Sequence, residues 1–423
     1  MAPRSFHDTV APQACACDTA TGLTPFETAL SIGMTLVTPV PEGLPCRLER
    51  ATGRVLSTTL RADTPLPPFD NSAMDGYALR LSDLRDDGRW QLPVAGRVCA
   101  GDPGCPLPAG SALRILTGAA LPEGADAIVA QEDVRFHGTD VVLPQRPRAG
   151  QHIRRQGEDL AHGAPLLDAG RVIGPREAAL LAAAGVAIVP VRRKLRVAVL
   201  CTGSELAAPG QPLKRGQVRD ANTALLTAAL TLPWISRITL PVCKDDPKAL
   251  RRAIVHAKRR ADIVVTTGGV SVGDHDHMEQ VVTDLGGQIV VRKLAMKPGR
   301  PLTLGKVGNA IWVGLPGNPV AALVTWHVIG ARLAEAAAGI RQPALRRSPA
   351  ALAHPLTHRP GRCEYRPAMV LGHDARGIAQ VACLDATGSH RVAQLAQADA
   401  LVIIPADAEA MARGELVDVI ALP

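Results

Sequence analysis

Two stretches decide the fold: LRVAVLCTGSEL at residues 195–206 and IVVTTGGVSVGDHD at residues 263–276. Each opens on an apolar run too short for a helix, interrupted only by Arg196 in the first, and passes into glycine, hydroxyl and acid. A strand buried on both faces reads this way, as the strands of a parallel sheet do. Helical patterns at 222–230, 247–258 and 319–336 alternate with further apolar strands at 238–242, 288–292 and 310–315. That alternation predicts a parallel α/β sheet, and such sheets bind ligands outside the carboxyl ends of their strands.

The chemistry gathers at those ends. Thr202, Gly203, Ser204 and Glu205 follow the first strand, and Asp245 follows the strand at 238–242. Gly268, Gly269, Ser271 and Gly273 lie in a loop whose amides can face an anion, although a glycine-rich loop by itself is a weak signal. The run KLAMKPGR follows the strand at 288–292, and Pro316, Gly317 and Asn318 form a turn before a helix. Acids around an anion-binding loop pose a conflict, since like charges about 4 Å apart repel by about 4 kcal/mol at an effective dielectric of about 20. A Mg²⁺ between Glu205, Asp245, Asp276 and a substrate phosphate resolves it, with Lys293, Lys297 and Arg300 holding the remaining charge. His275 and His277 flank Asp276, but a pair at this spacing lacks the further ligands of a zinc site.

Toward the N-terminus, residues 25–55 carry a helical pattern with Phe26, Ala29, Leu30 and Met34 on one face. From 61 to 159 the reading changes to short strands at 92–98, 112–116, 127–130 and 141–143, punctuated by Gly and Pro. A helix is expected at 175–184, with Pro in its first turn. After 346 the chain returns to β character, with strands at 400–404 and 416–422. Within the first β region, PPFDNSAMDGYA (67–78) holds an Asx turn at Asp70-Asn71-Ser72, while Asp75 before Gly76 offers a carboxylate to a cleft. RILTG (114–118) presents Thr117 beside a permissive glycine, and a plain turn explains it equally well. IRRQGED (153–159), with Arg154 and Asp159, also reads as an exposed ion-pair cluster.

At 423 residues the chain exceeds one core, so several domains are expected. Aromatics are 2% of the chain, too few for stacking on single-stranded nucleic acid. The net charge is +8 without any basic run longer than Lys258-Arg259-Arg260, which favours small anionic ligands. Nine cysteines, an odd number without paired spacing, imply no disulfide framework. Cys15 and Cys17 lie in an N-terminal tail at 1–21 and lack the partners a metal site needs. No signal-peptide pattern is present, and the most apolar stretch, 178–191, falls short of the roughly 20 residues of a membrane helix. A soluble cytoplasmic protein, with neither nucleic-acid nor membrane partners, is the expectation.

The segments PPFDNSAMDGYA, RILTG, IRRQGEDL, TGSEL, TTGGVSVGDHDH, KLAMKPGRP and LPGNPV occur in the order found in the molybdopterin molybdenumtransferase family, bacterial MoeA and the E domain of gephyrin. The chain resembles that family over residues 22–423, and Thr387-Gly388-Ser389-His390 is a weaker matching piece. The resemblance implies a multidomain α/β plus β enzyme. Its expected parts are a tail (1–21), a discontinuous linking and dimerisation domain (22–62 and 160–194) and a β-rich domain (63–159). A three-layer α/β molybdopterin-binding domain (195–343) and a C-terminal β-barrel-like domain (344–423) complete it. It implies a homodimer that inserts molybdenum from molybdate into adenylylated molybdopterin and releases AMP, the β region of one subunit facing the α/β domain of the other.

Carried over by motif, Asp75, Thr117, Asp159, Lys293 and Lys297 are the expected catalytic residues. Arg154, Thr202, Gly203, Gly268, Gly269, Ser271, Gly273, Arg300, Pro316, Gly317 and Asn318 are expected to bind substrate, and Glu205, Asp245 and Asp276 the metal. Transient contact with molybdopterin adenylyltransferase and with molybdoenzyme acceptors is also expected. Ser204, Arg219, His277 and Arg300 stand where Asp, Tyr, Tyr and Lys are common in the family, and none of these departures removes a carried-over residue. Two rival readings are molybdopterin adenylyltransferase, which shares the α/β domain but is usually one small domain, and a non-catalytic pterin-binding scaffold.

Overall fold

The computed structural model describes residues 22–85, 88, 90–269, 277–341, 345–384, 388 and 390–423. The chain packs as two compact units. One holds the described part of Met1–Leu44, with Gly53–Ser57 and Val191–Pro423; the other holds Pro45–Thr52 and Thr58–Pro190.

The larger unit is built on a six-stranded sheet in the order Ile235–Thr239, Leu195–Cys201, Ile263–Thr267, Ala310–Leu315, Thr303–Val307, Gln288–Arg292. The first four strands are parallel, and the inner three are buried almost throughout. The last two join through antiparallel pairings. The sheet is therefore mixed where a parallel one was expected: Thr303–Val307 runs against the other five strands through its hairpin with Ala310–Leu315, and Gln288–Arg292 on the edge runs the same way as the first four. Helices cover both faces and make the three layers. On one face, Leu250, Ile254 and Ala257 of the helix Pro247–Arg260 pack with Met278 and Val282 against Ala198, Leu200, Val264 and Trp312. Trp312 is fully buried, and its indole N–H donates to Thr266 Oγ1 at 3.0 Å.

The helix Pro247–Arg260 starts where chemistry places it. Asp246 accepts the Ala249 N–H at 2.7 Å as N-cap, Pro247 occupies the first turn, and Lys258, Arg259 and Arg260 end it against the dipole. On the other face, one long helix runs Pro319–Ala337 with a π turn at Trp326–Gly330. It is apolar enough to span a membrane by length and composition alone, but two-thirds of it is buried inside the unit, as in a core helix.

Below the sheet's N-terminal ends, Asp262 accepts from both Nη atoms of Arg193 at 2.7 and 2.8 Å and from Arg196 N and Nη2 at 2.8 and 3.0 Å. Burial pushes its carboxyl up, yet the arginine hydrogen bonds outweigh that and bring it down to about 2. A carboxyl lowered on folding stabilises above its unfolded value and loses that contribution as pH falls through the folded value. Asp262→Asn should therefore cost about 2 kcal/mol near neutral pH. The difference from the parent should fade as pH falls from about 4 to about 2. Urea unfolding across that range checks it, and a pH-independent difference would show that charge is not the cause.

The C-terminal part forms a closed five-stranded barrel from Ser348–Leu352, Cys363–His373, Ala379–Cys383, Ala400–Ile404 and Leu416–Ala421. Its core is Leu352, Val381, Val402, Ile404 and Val417 with smaller residues. The short strand Met296–Lys297 adds to it in parallel, with Lys297 opposite Glu364.

In the smaller unit a second six-stranded sheet has Gly76–Leu79 second from one edge, paired with Ala112–Ile115 and Ala127–Ala130. Tyr77 and Leu79 enter one core and Ala78 the other, following the two-residue period of a strand buried on both faces. The helix expected over 25–55 stops at Thr35. Pro39, Pro41 and Pro45 follow within ten residues and forbid its continuation.

Candidate functional site

Three parallel strands of the larger unit end in backbone that meets backbone. Thr202, 4% exposed, donates its N–H to Thr267 O at 2.9 Å and its hydroxyl to the same oxygen at 3.2 Å. Gly268 has φ +83°, and a β-carbon there would sit 2.3 Å from Thr202 O, so only glycine fits. Gly317, after Ala310–Leu315 and the buried Pro316, brings the position of its own β-carbon within 3.6 Å of Gly268 Cα. Asn222, at the start of the helix Asn222–Ala229 and 7% exposed, ties the ends together. Its amide donates to Gly317 O at 2.7 Å and to Thr267 Oγ1 at 3.3 Å, while its own buried Oδ1 has no partner among the described residues. Thr202, Gly268, Gly269 and Gly317, all expected from sequence, thus share one floor at the carboxyl edge of the sheet. Asn222 was not expected, although an Asn opening a helix after a strand–loop unit is a readable sign.

Two acids stand at the same edge. Asp245 accepts the Ser204 N–H at 3.0 Å and donates its own N–H to Ser204 Oγ at 3.3 Å. Glu205 folds its carboxylate over Gly203, where a β-carbon would lie 2.7 Å from both oxygens. The sequence KDDPKAL offers two aspartates, and the fold separates their work: Asp246 caps the helix, and Asp245 turns to the strand end. Among the described residues no set of three or more His, Cys, Asp or Glu side chains is gathered in metal-holding geometry. Ser271, Gly273 and Asp276, like His275, Thr387, Ser389, Cys15 and Cys17, lie outside the described residues. The Glu205–Asp245 pair suits Mg²⁺, which takes one or two protein carboxylates and fills its octahedron with water and phosphate.

The cationic loop follows. Leu294 N–H donates to Arg300 O at 2.7 Å, which closes residues 294–300 into a compact turn with exposed Lys293 and Arg300 at its ends. Lys293 has φ +59°, a left-handed conformation that a lysine adopts only when its surroundings impose it. Lys297 is half-buried, and its Nζ donates to Glu364 Oε2 at 3.1 Å. Asn318 is the N-cap of the helix Pro319–Thr325.

In the smaller unit, Asp75 Oδ1 accepts both the N–H and the hydroxyl of Thr117, each at 2.7 Å. These two bonds hold its carboxyl below the usual range. Gly76 is obligatory, because a β-carbon would lie 2.1 Å from Val129 O. Ile153–Arg154 pairs with Asn71–Ser72, so Arg154 sits opposite Asn71, beside the strand that leads toward Asp75. Asp70 takes Arg155 at 2.6 Å and the Gln156 N–H at 2.7 Å, and these side chains lock the two motifs together. Asp159 is exposed, and its N–H is tied to Leu66 O at 3.0 Å.

Comparison with known proteins covers both units. Residues 24–185 match the family described as MoeA N-terminal region (domain I and II), residues 198–335 a probable molybdopterin binding domain, and residues 349–422 the MoeA C-terminal region (domain IV). A molybdopterin molybdenumtransferase of Haemophilus influenzae is 42% identical over 66% of this chain and 69% of its own length. A molybdopterin molybdenumtransferase 2 of Mycobacterium tuberculosis is 37% identical over 87% of this chain and 92% of its own. The crystal structure of a molybdopterin biosynthesis MoeA protein from Pyrococcus horikoshii OT3 superposes with a TM-score of 0.80 at 27% identity, covering 95% of this chain and all of that one.

Proposed function

Because the chain belongs to the molybdopterin molybdenumtransferase family, we propose that it inserts molybdenum from molybdate into adenylylated molybdopterin and releases AMP, acting as a cytoplasmic homodimer. The observation that carries this reading is the floor of main chain at Thr202, Gly268 and Gly317. A floor without side chains lets a phosphate approach peptide N–H groups closely. The amides of Thr202, Gly203 and Ser204 are already spent on Thr267, Cys243 and Asp245, so these residues contribute shape. Among the described residues, that leaves the amides of Gly268, Gly269 and Gly317 to meet phosphate oxygens.

Glu205 and Asp245, with Asp276 expected beside them, would hold Mg²⁺, which neutralises phosphate charge when bound. Lys293, Lys297 and Arg300 would take the negative charge that grows on the leaving phosphate as the bond between AMP and the pterin phosphate breaks. Asp75, Thr117, Arg154 and Asp159 are read as the corresponding functional set of the smaller unit. Asp75 stays an ionised acceptor there because Thr117 donates to it twice.

The test is incubation of the pure protein with adenylylated molybdopterin, Mg²⁺ and molybdate, measuring AMP. Molybdate-dependent AMP release is expected. No release, with the substrate recovered intact, would overturn the reading. The mass in solution should be twice the 44.3 kDa of one chain.

A further inference from the structure

Among the described residues of the larger unit, the most completely enclosed carboxylate lies in the barrel, outside the strand-end floor. Glu364 has 3% side-chain exposure and three cationic or titratable neighbours. Arg366 Nε donates to its Oε1 at 3.0 Å, Lys297 Nζ donates to its Oε2 at 3.1 Å, and His358 Nε2 lies 3.6 Å from that same oxygen. The His358 ring is itself anchored, with Nδ1 2.9 Å from Ala408 O, a group that can only accept. Burial pushes the Glu364 carboxyl up, but Arg366 and Lys297 outweigh it and hold it below its ordinary value, so it stays charged. Arg366 and His358 are both nearly buried, so the seat around Glu364 is rigid. Lys297 differs from them: a third of its side chain remains open to solvent, and it stands on the parallel register that joins the cationic loop to the barrel.

An ammonium on a four-carbon stem has many rotamers, and using it to stabilise charge at one point requires that most of them be removed beforehand. A buried carboxylate with its second oxygen already committed to an arginine is suited to do so. We propose that Glu364 is the positioning residue for Lys297, so that the C-terminal barrel contributes to the anion chemistry through one carboxylate. The proposal rests on the reading that Lys297 serves the anionic substrate. It adds a residue, and a role for the barrel, to that reading.

The full-length variants Glu364→Gln, Glu364→Asp and Lys297→Met are compared with the parent by two measurements. The first is acetylation of Lys297 by an N-hydroxysuccinimide ester, followed by mass spectrometry of its peptide; this reads the contact without reference to activity. The second is kcat and KM for AMP release. In Glu364→Gln, acetylation of Lys297 should accelerate about tenfold, the equivalent of losing one charged hydrogen bond, and kcat should fall about tenfold with little change in KM. Glu364→Asp keeps the charge for Arg366 and should recover part of both. If Glu364→Gln fails to fold, the aspartate variant, with its carboxylate withdrawn by one methylene, carries the same comparison.

Unchanged acetylation would overturn the proposal whatever the kinetics. Faster acetylation with parental kcat, while Lys297→Met is inactive, would overturn it as well. Parental activity in Lys297→Met would remove the functional reading of Lys297, and the positioning role with it, and that arm shows which of the two has failed.

Discussion

In Lys297→Ala, release of AMP from adenylylated molybdopterin should fall about a hundredfold to a thousandfold, the usual effect of deleting one preorganised charge-stabilising donor. The fold should survive the change. Glu364, which loses the ammonium, keeps Arg366 at 3.0 Å and so is not left as an unpaired buried charge. Lys297 itself is partly in solvent, so truncating it opens no core cavity. The loss should therefore appear in turnover, with a thermal midpoint close to the parent's. Single-turnover AMP release and a melting curve on one preparation decide the matter. A rate within about twofold of the parent would show that Lys297 only braces the barrel.

The second large effect concerns the acids. The double variant Glu205→Gln, Asp245→Asn should lose roughly two orders of magnitude or more in rate, about 3 kcal/mol of barrier, and the parent in excess chelator should fall comparably. The substitutions remove charge and keep shape. An asparagine at 245 still offers an oxygen to the Ser204 N–H, now received by Asp245 at 3.0 Å, and a glutamine at 205 still folds over Gly203. If the acids act through Mg²⁺, the double variant should gain little from added Mg²⁺, whereas the parent should saturate. Full parental activity in chelator would sink the metal reading. A double variant that stays Mg²⁺-dependent at parental rates would place the metal elsewhere.

The amino-acid sequence carried strands well where apolar residues run together, buried on both faces in all but the edge strand Gln288–Arg292. Leu195–Cys201, Gln288–Arg292, Ala310–Leu315 and Ala400–Ile404 lie where their patterns place them. The strand read at 238–242 lies at Ile235–Thr239, because Ser236 and Arg237 hide its start in the pattern and pairing of Ile235 with Leu195 sets the register. Thr303–Val307 was missed since Gly305 and Lys306 make it look like a loop, although Gly308 after it, at φ +61°, is a hairpin sign. Cys363–His373 carries Glu364, Arg366 and Pro367, which hide a strand from any one-dimensional pattern. Its two charged residues are tolerated because they satisfy each other and Lys297.

The same reason divides the candidate site. Strand-end residues could be picked from local pattern plus one topological rule, and the motif resemblance supplied the rest. Glu364 could not be picked, because its meaning lies in a contact with Lys297, 67 residues away. Asn222 sits between these cases, its position readable but its two partners set only by tertiary structure.

The floor of the crevice also bears on how the gene can drift. If peptide N–H groups do the recognising, as proposed, every residue type except proline supplies them, so other substitutions are judged on bulk and backbone conformation. At Gly317 the nearest atom to an added methyl is 3.6 Å away, an ordinary contact. At Gly268 it is 2.3 Å away and belongs to the main chain, which cannot yield. One face of the same pocket is thus open to neutral change, while the other is fixed by the nearness of its own backbone.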